Sequence, residues 1–358
     1  MMRASILLLA CLVAVSCKKP DPEAGKDVQP KVHKPVPVAG TGTPAQPGDP
    51  AGALMKRTYF LLPAGDGLWA GTTAGVVTWD LSNAEKPERS PGALLPGSVS
   101  GLTLIEGERS VLAVSTGPTG VSLLDADGDL ALLSGGTWAA SGGCHAAWNA
   151  RVAGEGTLLV ACATAGVAEA DVSDPSSPRV TRILFVEGYV RDLDVIEGPG
   201  LRAVAAAGPE GLAIVDFPPQ GQPRVLSTLE TGGDARAVAV DGQLAYVANG
   251  AAGLLVADLA DPENPTVKTR HDPGASDMAR GLVLSGTTLY LCMGEAGLLI
   301  LDVSDPASPE HIGSHDPGRA LNRVAVQGDR LYAANDDAGL LVLDVSDPSH
   351  PTQIFPTE

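Results

Sequence analysis

The chain has 358 residues, a length for one large domain or two ordinary ones, and a formal net charge of −18. Charged residues make up only 18%, Gly and Pro number 43 and 29, and no long apolar pattern of 3.6-residue period is present, so a helical protein is excluded in favour of short strands joined by turns. The acidic balance excludes nucleic acid as a partner, because phosphate binding is driven by Lys and Arg.

In chain order, the first element is MMRASILLLACLVAVSC, Met1 to Cys17. Arg3 supplies a charged start. Ile6 to Val15 is an apolar run too short to span a bilayer comfortably, and small residues lead into Cys17. This segment resembles a bacterial lipoprotein signal peptide with its box at Ala14-Val15-Ser16-Cys17, although Ala14 stands where that signal favours Leu. A box ending at Cys11 would leave an apolar run of only about six or seven residues. The resemblance implies lipid on the Cys17 sulfur and acylation of its new amino terminus, which anchors a protein to a membrane where a single chain would not. Residues 18–55 are rich in Pro, Gly, Ala and charge, have too few apolar side chains for a core, and are expected to form a semi-extended tether. The first 55 residues hold six basic and four acidic side chains, leaving 18 basic and 38 acidic ones in the body, a charge of about −20.

From residue 56 to residue 358 one unit recurs seven times. It is clearest in LLVADLADPENP (Leu254 to Pro265), LLILDVSDPASP (Leu298 to Pro309) and LLVLDVSDPSHP (Leu340 to Pro351). Each copy is preceded by Gly75, Gly120, Gly166, Gly211, Gly253, Gly297 or Gly339 and carries an Asp five residues later: Asp80, Asp125, Asp171, Asp216, Asp258, Asp302 and Asp344. Successive Asp residues are 45, 46, 45, 42, 44 and 42 apart, and a Pro stands seven after the Asp in six of the seven copies, Leu132 breaking the rule. The fifth unit divides into a first strand at Ala235 to Val240, a turn at Asp241-Gly242, a second strand at Leu244 to Ala248, a third at Leu254 to Leu259, and, after a Pro-rigid turn, a fourth at Thr266 to Arg270. Third strands such as Leu298 to Leu301 are apolar on consecutive residues and so require burial on both faces.

These features predict an all-β chain, a seven-bladed β-propeller of four-stranded antiparallel blades, in which each blade is covered by its neighbours. No spare strand is evident at either end, and packing of the first and last blades face to face is one way to close the ring. The repeat resembles the LVIVD-repeat family through the strings LAIVD, LLILD and LLVLD, most strongly in the last three units. That resemblance implies a propeller of envelope or extracellular proteins and supplies no catalytic residues. A single Trp79-Asp80 without a Gly-His partner does not make a WD repeat.

The repeat Asp residues fit a structural role, accepting main-chain N–H bonds at the ends of their own blades. Arg191, Arg236 and Arg280, with Asn322 in the equivalent place, stand at the starts of first strands, which line a propeller axis. Pairing of each Arg with a nearby loop Asp is the expected arrangement, and convergence on an anion at one channel mouth is the functional alternative. His271 and His315 recur in HDPG, and His145 lies in an earlier loop beside Cys144, but blades diverge outward and no short ligand spacing links the three, so no metal site is expected. The body holds Cys144, Cys162 and Cys292 and no CxxC pair. Cys144 precedes the first strand of the third unit and Cys162 ends its second, so antiparallel pairing brings them to one end of a blade, where a disulfide is expected in an exported protein. No GxSxG, HExxH or phosphate-cradling Gly loop is present, and no cofactor is implied. The expected function is that of a non-enzymatic binding or scaffolding module in the bacterial envelope, on the periplasmic or surface face of the outer membrane, with an unidentified envelope protein or polymer as partner. A hydrolase or lyase acting on a cell-surface polymer at the channel mouth is the alternative.

Overall fold

The computed structural model describes residues 57–274, 277–334 and 339–356; Cys17 and the tether lie outside the described residues. Within these there are seven antiparallel sheets, each made of four strands consecutive in sequence. Blades 1 to 7 run from Thr58 to Leu94, Gly101 to Ser134, Asn149 to Leu184, Asp192 to Leu229, Ala237 to His271, Gly281 to His315 and Val324 to Phe355. The chain is a seven-bladed β-propeller with almost no helix among the described residues.

Burial along the strands follows the pattern of apolar residues. In blade 5 the second and third strands, Leu244–Ala248 and Leu254–Asp258, are buried on four consecutive residues each, while the fourth, Thr266–His271, alternates exposed and half-buried positions. Inner strands are covered on both faces by neighbouring blades, and the outermost strand meets solvent. Side chains such as Leu254 and Ile300, fully buried, each contribute roughly 1.5–3 kcal/mol of burial free energy. The core is divided into seven apolar clusters, one at each blade–blade interface.

One of these clusters closes the ring. Leu61, Leu68, Ala70 and Val77 of blade 1 pack on Tyr332, Ala334, Leu340 and Val342 of blade 7 without exchange of a strand. Trp79 meets the Phe355 ring edge-on at 6.2 Å across the same seam, so the Trp of the lone Trp-Asp pair serves closure. Elsewhere a main-chain bridge joins the loop after the second strand of one blade to the start of the next, as at Gly208–Ala235 and Gly250–Ala279. Ala235 therefore belongs to this bridge, and the first strand of blade 5 is Ala237–Asp241.

The repeat residues hold the blades locally. All seven repeat glycines have positive φ, from +73° at Gly253 to +134° at Gly75. A Cβ at Gly253 would also meet the His271 carbonyl and the Pro273 ring, so a side chain there is opposed by both conformation and space. Six repeat Asp residues accept the N–H two residues on, for example Asp302 from Ser304 at 2.8 Å and Asp344 from Ser346 at 2.9 Å. Asp216 is the exception because Pro218 has no N–H to give; its carboxylate instead faces Arg224 at 3.2 Å and Arg202 at 3.6 Å. In the turns that follow, Asp174, Asp261, Asp305 and Asp347 repeat the same bond, each to the residue two further on. Every pairing of third with fourth strand carries a register shift, which adds twist at the rim of each blade. Blade 2, where Leu132 replaces the Pro, has a fourth strand of only three residues. A five-residue helix, Thr137–Ser141, follows it and buries Ala139 between blades 2 and 3.

Candidate functional site

The residue just before a first strand donates its N–H to the carbonyl at the end of the second strand: Ser100 to Ser115, Trp148 to Ala161, Arg191 to Ala206, Arg236 to Ala248 and Arg280 to Cys292. One position in each of these five blades is thereby brought to one mouth of the axial channel. Arg191, Arg236, Arg280 and Asn322 all line a cavity there of about 620 Å³, together with Arg323. The opposite wall, from blades 1 to 3, carries Tyr59, Phe60, Trp148 and the hydroxyls of Ser100, Thr116 and Thr119. Among the described residues that line this cavity there are four guanidinium groups and no carboxylate, in a chain of net charge −18.

Carboxylates lie behind the arginines. Asp234 holds Arg191 at 2.8 Å and Arg236 at 2.8 Å, so two cations share one anion. Arg280 reaches the Asn322 amide oxygen at 3.1 Å and Asp277 at 3.6 Å, and its Nε, shielded from solvent, has no partner among the described residues. Pairing with loop Asp residues and convergence at a mouth thus occur together: the carboxylates orient the guanidinium groups, and Asp234 offsets only one of the two charges it holds. Arg191 also lies over the Tyr189 ring at 5.1 Å, and Tyr189 meets Trp148 edge-on at 5.8 Å.

Deeper in the channel lies a second cavity, of about 760 Å³, lined by Asp192, Asp194, Arg151 and, again, Arg323. Asp192 is buried and accepts bonds from the Asn149 amide at 2.6 Å and the Leu193 N–H at 3.0 Å. Its other oxygen faces the Val238 N–H and Arg323, both at 3.4 Å. Asp194 accepts the Val240 N–H at 2.8 Å and lies 3.4 Å from Arg151. The first strand of a blade has a free inner edge, and these carboxylates satisfy N–H groups on the edge of the next blade. Burial pushes the Asp194 carboxyl above its ordinary value, with Arg151 acting against the shift. Arg323 lies over the Phe60 ring at 5.3 Å and separates the two cavities.

This inner set is missing from the sequence reading, although a signal for it exists. In repeat register Asn149 and Asp192 occupy the place of Ala237 and Gly281, and Arg151 and Asp194 that of Ala239 and Val283. Polar residues at positions that are small or apolar in blades 5 and 6 mark the channel, and Arg323 stands at the place of Asp192 in blade 7. The aromatic wall is less legible, because Trp148 replaces Arg at its position and Phe60 follows an irregularity in its strand.

Cys144 and Cys162 form a disulfide with Cα atoms 5.1 Å apart, which ties down the segment leading to Trp148. Cys292 is free and buried, and burial pushes its thiol up to about 12. His271 and His315 are the last residues of fourth strands rather than loop residues, and burial lowers both below the ordinary imidazole value. His145 sits in the loop after the short helix. Among the described residues no three His, Cys, Asp or Glu side chains gather in a way that could hold a metal ion, and these imidazoles are not brought together.

The LVIVD repeat family matches residues 232–272, 276–316 and 318–356, the segments that form blades 5, 6 and 7. No curated protein sequence matches the chain. Among solved structures, a putative 6-phosphogluconolactonase from Bacteroides uniformis is similar with a TM-score of 0.65 at 15% identity, over 78% of this chain and 91% of that one. A second putative 6-phosphogluconolactonase, from Bacteroides fragilis, gives 0.63 at 15% identity over 85% and 94%. The computationally designed Ika8 protein gives 0.60 at 12% identity over 83% and 86%. At such identities the likeness is one of fold. The chain is a seven-bladed β-propeller whose last three blades match the LVIVD repeat family.

Proposed function

We propose that this protein is a non-enzymatic binding module of the bacterial envelope, held to the membrane by lipid on Cys17 and taking its ligand at the arginine-lined channel mouth. The observation that carries the binding role is the set of four guanidinium groups around a cavity with no carboxylate among the described residues that line it, on an otherwise acidic molecule. Such a site attracts and orients an anionic group, and a cavity of about 620 Å³ is of the size that small ligands or the end of a polymer occupy. Anchoring is supported by Arg3, the apolar run and Cys17, and the Pro-rich tether would hold the mouth away from the membrane surface.

Two experiments test the two parts. Fractionation of cells expressing Cys17→Ala should find the propeller folded and soluble; recovery in the membrane pellet would refute lipidation at Cys17. Affinity capture from envelope extracts should retain a component with the native protein and lose it with Arg236→Ala plus Arg280→Ala. Equal capture by both proteins would refute the mouth as the site. A captured polymer returned cleaved would point instead to a hydrolase or lyase.

A further inference from the structure

The two walls of the mouth differ in what they offer a ligand, and that difference narrows its chemistry. One wall presents cationic donors from Arg191, Arg236 and Arg280. On the other, the hydroxyl hydrogens are already used. Ser100 donates to the Ala147 carbonyl at 3.1 Å, Thr116 to that of Gly120 at 3.1 Å, and Thr119 to the Thr116 hydroxyl at 2.7 Å. A hydroxyl oxygen whose hydrogen is committed still accepts; Thr116 is buried and its oxygen already receives the Thr119 hydrogen, so the acceptors this wall offers to ligand donors are those of Ser100 and Thr119. Beside them stand the rings of Tyr59 and Trp148. The complementary molecule is anionic at one end. At the other it carries O–H donors on a body with an apolar face that can lie on an aromatic ring. A bare inorganic anion lacks the second half, and an aromatic acid lacks the donors.

From this juxtaposition we infer that the mouth binds an acidic saccharide, with its carboxylate or phosphate on the arginines and its ring against Trp148 and Tyr59. The inference rests on the mouth being the binding site, as proposed above. The cavity volume, about 620 Å³, lies within the range of small-molecule sites and admits more than one feature of such a ligand at once. The Cys144–Cys162 disulfide restrains the segment that carries Trp148, so the aromatic wall is pre-organised before the ligand arrives.

The test is titration calorimetry of the full lipidated chain in detergent with five probes: trigalacturonate, glucuronate, glucose 6-phosphate, neutral galactotriose and inorganic sulfate. At least one acidic sugar should bind, with the neutral sugar and sulfate each about tenfold weaker or worse. Binding by the uronates alone assigns the anion as carboxylate, and by glucose 6-phosphate alone as phosphate. Arg236→Ala and Arg280→Ala should each weaken the acidic sugar by about tenfold. Trp148→Ala should weaken it while leaving sulfate unchanged. Thermal unfolding of each variant, matched to the native protein, separates loss of contact from loss of fold. Sulfate binding as tightly as every acidic sugar would overturn the inference, as would binding indifferent to both arginine changes. If no acidic sugar binds while capture from envelope extracts still depends on Arg236 and Arg280, this ligand class is wrong and the binding-module reading stands.

Discussion

Removal of the Asp192 carboxylate should be among the most damaging single changes in the channel. The side chain is 2% exposed. Asp192→Ala leaves the Asn149 amide and the Val238 N–H without their acceptor, and each unsatisfied buried donor costs roughly 1–3 kcal/mol. It also leaves Arg323 without the carboxylate 3.4 Å away, while Arg151 keeps Asp194 at the same distance. Breaking a buried charged pair from one side costs about 3–5 kcal/mol, and because these contributions overlap, the whole change is expected at about 3–5 kcal/mol. Urea unfolding followed by tryptophan fluorescence reads this out. With a slope of about 3 kcal/mol per molar, the midpoint should fall by about 1 M or more. Asp192→Asn, which keeps an acceptor for Asn149 or Leu193, should lose roughly 1–3 kcal/mol. In a double-mutant cycle with Arg323→Met, the double variant should be less damaged than the two single losses added together. A loss under about 1 kcal/mol for Asp192→Ala, or strict additivity with Arg323→Met, would refute the view that this pair ties blade 7 to blade 4 across the channel.

Three further outcomes are expected. Cys144→Ser opens a loop of separation 18 and should cost about 3 kcal/mol on the chain-entropy account, a loss that reducing agent reproduces in the native protein and does not deepen in the variant. Cys292, buried and with its thiol pushed up to about 12, should not react with a thiol reagent at pH 8 until the protein unfolds; prompt labelling of the native protein would show that the site opens. The Asp171 carboxyl is lowered from 3.8 to about 2, chiefly by the Ser173 hydroxyl and then by Arg179. Asp302, Asp344 and Asp347 are shifted the same way by their own Ser partners. These groups ionise more readily folded than unfolded, so their stabilisation is present above pH 3.8 and drains away as pH falls towards about 2. Thermal midpoints measured across that window should fall less steeply for Asp171→Asn than for the native protein, and parallel curves would refute the role of the turn. Asp194, raised by burial, acts in the opposite sense: its contribution is complete at low pH and is lost as pH rises through its folded value.

The architecture was legible in the sequence because its determinants are local and repeated. A Gly with positive φ before each third strand, an Asp that caps the turn after it, and an apolar run buried on both faces act within one blade. Seven copies therefore announce seven blades. Cys144 and Cys162 likewise lie at one end of a single blade, within reach of reasoning from strand direction alone. The mouth arginines were visible as equivalent positions, but not that Asp234 would be shared between two of them, nor that Trp148 would stand at the same position in its own blade. The short helix arises where the repeat is most degraded, and no periodic pattern marks it. Only the closed ring joins Asp192 to Arg323, 131 residues away, and sets Leu61 and Val77 against Tyr332 and Val342. Such pairs are made once, between blades that are not neighbours in sequence or that meet only when the circle closes. Their partners are therefore chosen by the geometry of the ring and not by the period of the chain.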